Sequence, residues 1–214
     1  MLQFQIFVAV IIFVSAWSLR FWQGWLFWLV FSVLVWWISL YFLRHDPDLI
    51  ARRMKAGPSA EQRTTQKFVQ ALAIILAAAL VVVPGLDHHF GWSSVSAPIS
   101  LIADAMVVLG FAIIFQVFKA NSFAASTIKV EAEQRVISTG PYAMVRHPMY
   151  SGASIALIAT PLALGSLCGL PAALLLIAVL VVRLLDEERY LAANLAGYDS
   201  YRSKVRFRLV PMIW

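Results

Sequence analysis

"FVQALAIILAAALVVV", residues 68–83, holds a single polar side chain, Gln70, in sixteen positions. A run of that length approaches the about 20 residues that an α-helix needs to cross a hydrocarbon core. Its flanks differ in charge. Residues 44–67 carry Arg44, Arg52, Arg53, Lys55, Arg63 and Lys67, whereas residues 87–98 carry no lysine or arginine. Basic residues favour the cytoplasmic side of a membrane, so this run is predicted to cross from inside to outside.

Five more apolar runs, residues 4–19, 25–43, 99–118, 149–167 and 170–185, extend the pattern. Arg20, Gln23 and Gly24 supply a tight hairpin between the first two, and "PGLDHHFG" is read as the stop of the third. Six crossings place the N terminus, residues 44–67, residues 119–146 and everything from Asp186 onward on the cytoplasmic side. Arg189, Arg202, Lys204, Arg206 and Arg208 agree with that assignment. Arg20 alone falls on the other side, at a helix end from which it can snorkel.

Composition supports the same class. The 214 residues are 61% hydrophobic and 13% charged, with mean hydropathy +0.80, against about 45–50% apolar for soluble domains. The formal charge of +6 falls between apolar blocks, so it marks loops rather than a nucleic-acid surface. Cys168 is the single cysteine and has no disulfide partner; His88 and His89 beside Asp87 lack a third ligand, so no metal site is predicted. With no internal repeat or linker, the expected architecture is all-α: one domain over residues 1–214, a polytopic transmembrane bundle of about six helices in a lipid bilayer. Residues 1–118 supply four helices, and residues 119–214 carry the chemistry.

The connection from Lys119 to Tyr150 is too long for a simple turn, and such loops in compact proteins are commonly functional. Within it, "GPYAMVRHPMYSG" joins a turn signal to Pro148, which suits the first turn of the fifth membrane helix. That helix is expected to open toward the cytoplasm with free N–H groups beside Arg146 and His147, an arrangement suited to an anion. At the end of the sixth run, Arg183 stands inside apolar sequence and Glu187 follows one turn later on the same face. Ionisable groups at that depth are costly and tend to face an interior or an aqueous cavity. Asn121 and Phe123 are candidates for the same cavity, and "LVPMIW" for its cover. Asp104 is expected to cap or pair locally.

These stretches resemble one family. "NSF" at Asn121 to Phe123, "VISTGPYAMVRHPMYSG" and "RLLDEERYLAANLAGYDSYRSKVRFRLVP" are similar to motifs of the integral-membrane methyltransferases that include isoprenylcysteine carboxyl methyltransferase and the phospholipid N-methyltransferases. The resemblance implies S-adenosylmethionine as cofactor, bound in a cytoplasmic pocket closed by the loop before the fifth helix and by the C-terminal segment. It implies cofactor contacts from Gln134, Arg135, Val136, Ile137, Tyr142, His147, Pro148, Met149 and Tyr150, with Arg146 near the cofactor's polar end and Glu187 or Glu188 supplying a carboxylate. Arg183 matches the arginine assigned to a substrate carboxylate, and Asn121 and Phe123 line the acceptor side. Two departures stand out: Gln134 replaces a histidine favoured by the isoprenylcysteine enzymes, and one extra residue separates Glu187 from Gly197. The implied reaction is methyl transfer to a lipophilic carboxylate entering from the membrane. Transfer to a phospholipid amine or a small thiol is the alternative, and a membrane reductase or transporter is more remote.

Overall fold

The computed structural model describes residues 2–61, 63–124, 127, 128, 130 and 134–214; part of the long central connection lies outside them. Eight α-helices follow one another among the described residues: α1 (Leu2–Ala16), α2 (Trp22–His45), α3 (Pro47–Met54), α4 (Thr64–Phe90), α5 (Ala97–Ala120), α6 (Pro148–Ala163), α7 (Leu170–Asn194) and α8 (Tyr198–Lys204). Each of the six predicted runs lies largely within one helix. Three of them, α2, α4 and α5, are long and apolar enough to span a membrane. The other three are different in kind: α1 has 15 residues, α6 has 16, and α7 carries its charges in its second half.

Local chemistry explains most boundaries. Asp46 caps α3 by accepting from the Leu49 N–H at 3.0 Å, and Pro47 occupies its first turn. Pro98 and Pro148 open α5 and α6 in the same way. Gly91 closes α4 in the left-handed conformation, at φ 67°. The stop expected at "PGLDHHFG" falls seven residues later, because α4 runs through Pro84 to Phe90. Membrane helices tolerate such a proline where neighbouring groups re-satisfy the freed backbone. Likewise α7 does not stop at Leu185 but continues to Asn194, which places Asp186, Glu187 and Glu188 on a rigid helix rather than in a tail.

The closest approach is between α5 and α6. A Cβ on Gly110 would meet the Gly152 carbonyl oxygen at 2.5 Å, and one on Gly152 would meet the Gly110 oxygen at 2.6 Å, the small-residue contact by which membrane helices pack. Further along, Ser100 Oγ donates to the Leu162 oxygen at 3.0 Å, so the two helices run antiparallel and α6 begins alongside the last two turns of α5. Around this pair a core forms from Ile12 and Ala16 of α1, Phe27 of α2, Val107 of α5 and Ala159 of α6. At the opposite end, Asp87 accepts from the Ser93 N–H at 2.6 Å and from the Ser93 and Ser166 hydroxyls at 2.5 Å each, tying the α4–α5 and α6–α7 loops together. His88 and His89 belong to the last turn of α4; His88 stacks on Phe21, and His89 meets Trp17 at a tilt. Asp104 does not cap or pair as expected: it is buried, and neither carboxylate oxygen has a hydrogen-bond partner among the described residues.

Candidate functional site

A polar cavity lies where the long connection, the start of α6 and the end of α7 converge. The loop residues Gln134, Arg135, Val136 and Ile137 line one side, Arg146, His147, Pro148, Met149 and Tyr150 line it at the start of α6, and Asn121, Phe123, Tyr142 and Glu187 also line it; Arg183 and Glu188 of the predicted set do not. Leu191, Leu195, Tyr198 and Tyr201 also line it. Asn121 combines two roles: Oδ1 accepts from the Phe123 N–H at 2.9 Å, and Nδ2 donates to the Tyr142 hydroxyl at 3.0 Å.

The two glutamates part company. Glu187 lines the cavity and accepts from the Tyr150 hydroxyl at 2.8 Å. Glu188 is buried behind the wall and is not among the lining residues. Its Oε1 lies 2.8 Å from Arg146 Nε and 3.3 Å from His147 Nε2, and its Oε2 lies 2.9 Å from Arg208 Nε. Burial pushes the Glu188 carboxyl up, but hydrogen bonds from His147 and Arg208, together with the charges of His147 and Arg146, outweigh it and hold the group at about 2. Arg146 and His147, expected to face an anionic ligand, therefore meet a resident anion. The segment after α8 straps this cluster in place. Arg146 and His147 donate their backbone N–H groups to the Phe207 and Arg208 oxygens at 2.9 Å each, and Ser151 Oγ donates to the Leu209 oxygen at 2.6 Å.

Arg183 lies outside the polar cavity, at the end of a second one. This chamber has a volume of about 940 Å³ and runs between α1, α2, α4, α5, α6 and α7, with walls that include Phe4, Phe7, Phe27, Phe31, Phe111 and Leu176. Its polar end presents Arg53, Gln70, Tyr150, Arg183 and Glu187. Arg183 donates to Glu61 Oε1 and Gln66 Oε1 at 2.9 Å each, and Gln70 donates to the same Glu61 oxygen at 2.6 Å. Glu61 and Gln66 are buried. The sequence reading paired Arg183 only with Glu187 and did not name Glu61; the need of a buried cation for a compensating acid is the one signal that calls for such a partner. Arg53 was read only as a loop charge. It donates to the Met149 sulfur at 3.3 Å and lies over the Phe118 ring at 4.9 Å, and burial lowers its pKa, as does the nearby Arg183.

Thr127, Ile128, Met149, Tyr150 and Glu187 line both cavities, so one thin wall separates a polar site from a lipophilic one. The polar side fits S-adenosylmethionine in its donor set. Glu187 suits a cationic group, and tyrosine rings suit a flat heterocycle. The buried Tyr198 hydroxyl has no hydrogen-bond partner among the described residues. Burial pushes Tyr142 up to about 12, partly opposed by the Asn121 hydrogen bond, and raises Tyr198 and Tyr201 further, so all three remain neutral donors at physiological pH. The polar cavity measures about 100 Å³, below the about 300–1,000 Å³ usual for small-molecule sites. Admitting the whole cofactor requires this cavity to widen.

These features define a helical integral-membrane protein in which a polar cavity abuts an apolar chamber. A family model described as phospholipid methyltransferase matches residues 99–196, which span α5, α6 and α7 and hold the shared wall. That match holds the first two of the motifs that carry the resemblance and part of the third, and it agrees with a resemblance to methyltransferases. No curated protein matches the chain.

Proposed function

We propose that this protein is an S-adenosylmethionine-dependent methyltransferase that acts on a lipophilic acceptor at the cytoplasmic face of the membrane. The observation that carries the reading is the shared wall: Met149, Tyr150 and Glu187 face both the polar cavity and the apolar chamber. When bound, S-adenosylmethionine supplies an electrophilic methyl group. Gln134, Arg135, Val136, Ile137, Tyr142, His147, Pro148, Met149, Tyr150 and Glu187 would hold it. Arg146 would stand near its polar end, and Glu188 acts behind the wall, fixing Arg146 and the start of α6 through their ion pair.

The remaining work is positioning, which supplies much of the rate in a displacement that needs collinear reactants and little water. The apolar chamber sequesters the acceptor's hydrocarbon body. Its polar end presents two guanidiniums, Arg53 and Arg183, to the head group. A carboxylate is already ionised at neutral pH and needs no base, so an acceptor of the isoprenylcysteine type would be oriented by these arginines. The Tyr150 hydroxyl fixes the Glu187 carboxylate at the junction.

A second reading, transfer to a phospholipid amine, is supported by the Glu61–Arg183 contact, since a guanidinium already hydrogen-bonded to a buried carboxylate has less to offer a substrate anion. Glu187 would then take the proton that the amine loses. Radiolabelled methyl transfer by the purified protein decides between them. Labelling of a farnesylcysteine analogue and not of phosphatidylethanolamine is expected, the reverse selects the amine reading, and labelling of neither rejects both.

A further inference from the structure

The segment after α8 ends in a built hook. Leu209 and Val210 donate their N–H groups to the Trp214 oxygen at 2.9 and 3.0 Å, and Trp214 donates back to the Val210 oxygen at 3.1 Å. Met212 holds the left-handed conformation at φ 63°, uncommon for a residue with a side chain. The turn is therefore specified, yet it does not bury its apolar residues: Met212 is 85% exposed, Ile213 79% and Val210 45%. Arg208 lies 5.2 Å over the Trp214 ring on the inner side, where it also holds Glu188. Just before the hook, Arg202, Lys204 and Arg206 are exposed, Arg202 in an exposed ion pair with Asp199 at 3.0 Å.

Position says what covers this face. Ser151, in the first turn of α6, hydrogen-bonds the Leu209 oxygen, and α6 begins alongside the last two turns of the spanning helix α5. The hook therefore lies at the membrane edge, at the depth where aromatic and basic residues accumulate. An exposed apolar tip beside a basic stretch matches a leaflet of apolar chains under anionic head groups.

We propose that residues 209–214 form an interfacial anchor: Val210, Met212 and Ile213 enter the head-group–acyl boundary of the cytoplasmic leaflet while Arg202, Lys204 and Arg206 engage anionic lipid. The anchor holds the strap at 207–209 against the start of α6, so the bilayer itself steadies the wall of the polar cavity that Arg146 to Tyr150 form. This does not depend on what the cavity binds.

The test uses the full chain in lipid nanodiscs, carrying Met212→Cys, and separately Ile213→Cys, in a Cys168→Ala background. Each cysteine is labelled with an environment-sensitive fluorophore and challenged with aqueous and lipid-borne quenchers. Strong quenching by shallow lipid-borne quenchers, weak aqueous quenching, and deeper insertion when phosphatidylglycerol is added to phosphatidylcholine are expected. Val210→Ser combined with a serine at the unlabelled member of the 212 and 213 pair should return the label to water. A label equally open to aqueous quencher in both lipids would overturn the proposal. Protection from both quenchers would assign the face to another protein surface instead, and insertion indifferent to anionic lipid would overturn the head-group contacts. S-adenosylhomocysteine binding, measured alongside, should weaken when the anchor is lost. Absence of binding in every variant would count against the cofactor reading and leave the depth result standing.

Discussion

Glu188→Gln removes one charge from a buried cluster while keeping its shape. The carboxylate sits among Arg146, His147 and Arg208, with 6% of its side chain exposed. A carboxyl held at about 2 against an ordinary 4.5 corresponds to about 3 kcal/mol of folded-state preference for the anion. Leaving Arg146 buried without its partner points to a similar size, about 3–5 kcal/mol. For a chain of this length the loss should lower the melting temperature by about 6–12 °C, read by circular dichroism at 222 nm in detergent at pH 7. The sign with pH follows from a depressed carboxylate. Its contribution is complete above about 4.5 and disappears as pH falls through about 2, so the gap between wild type and variant should narrow across that window. Glu187→Gln is the internal control, because that side chain faces the cavity and contacts Tyr150. It should cost much less stability but abolish binding of S-adenosylhomocysteine. Equal melting of Glu188→Gln and wild type, or equal losses in the two variants, would refute the division of labour between the neighbours.

Gly110→Ala forces a Cβ against the Gly152 oxygen at 2.5 Å and should destabilise by about 1–3 kcal/mol; a wild-type melting curve would contradict the close α5–α6 contact. Asp104→Asn should melt at or above wild type, because its buried carboxylate has no hydrogen bond to lose among the described residues; a drop of several degrees would reveal a partner. Asp87→Ala, by contrast, removes three hydrogen bonds and should lower the melting temperature while sparing cofactor binding, which calorimetry can check. Arg53→Gln should raise KM for a carboxylate acceptor at least tenfold, with a smaller effect on kcat, as expected when an oriented charge-assisted contact is lost; unchanged KM would remove Arg53 from the acceptor site.

Helix existence was legible because apolar length is a one-dimensional signal. Helix ends were not, since α4 passes through Pro84 and α7 carries its helix past Leu185, outcomes set by packing rather than by local preference. The polar lining from Gln134 to Tyr150 was legible from motif and turn chemistry. Its electrostatics were not. Arg146 read as a cation facing an anionic ligand and Arg183 as a neighbour of Glu187, whereas each meets another buried acid, Glu188 and Glu61. Glu61 is separated from Arg183 by three helices in the chain order, and no local periodicity connects residues so far apart. The apolar chamber was equally invisible, because the phenylalanines that line it look like any lipid-facing residue until helix rotation is fixed.

Titration calorimetry of S-adenosylmethionine and S-adenosylhomocysteine against the detergent-purified wild type, Glu187→Ala and Tyr198→Phe proteins is the most direct test of the central claim. The account predicts saturable one-to-one binding by wild type, loss in Glu187→Ala, and weakening in Tyr198→Phe, whose side chain lines the cavity and whose buried hydroxyl has no partner among the described residues. Folded wild-type protein that binds neither compound, in several detergents and with lipid restored, would contradict it.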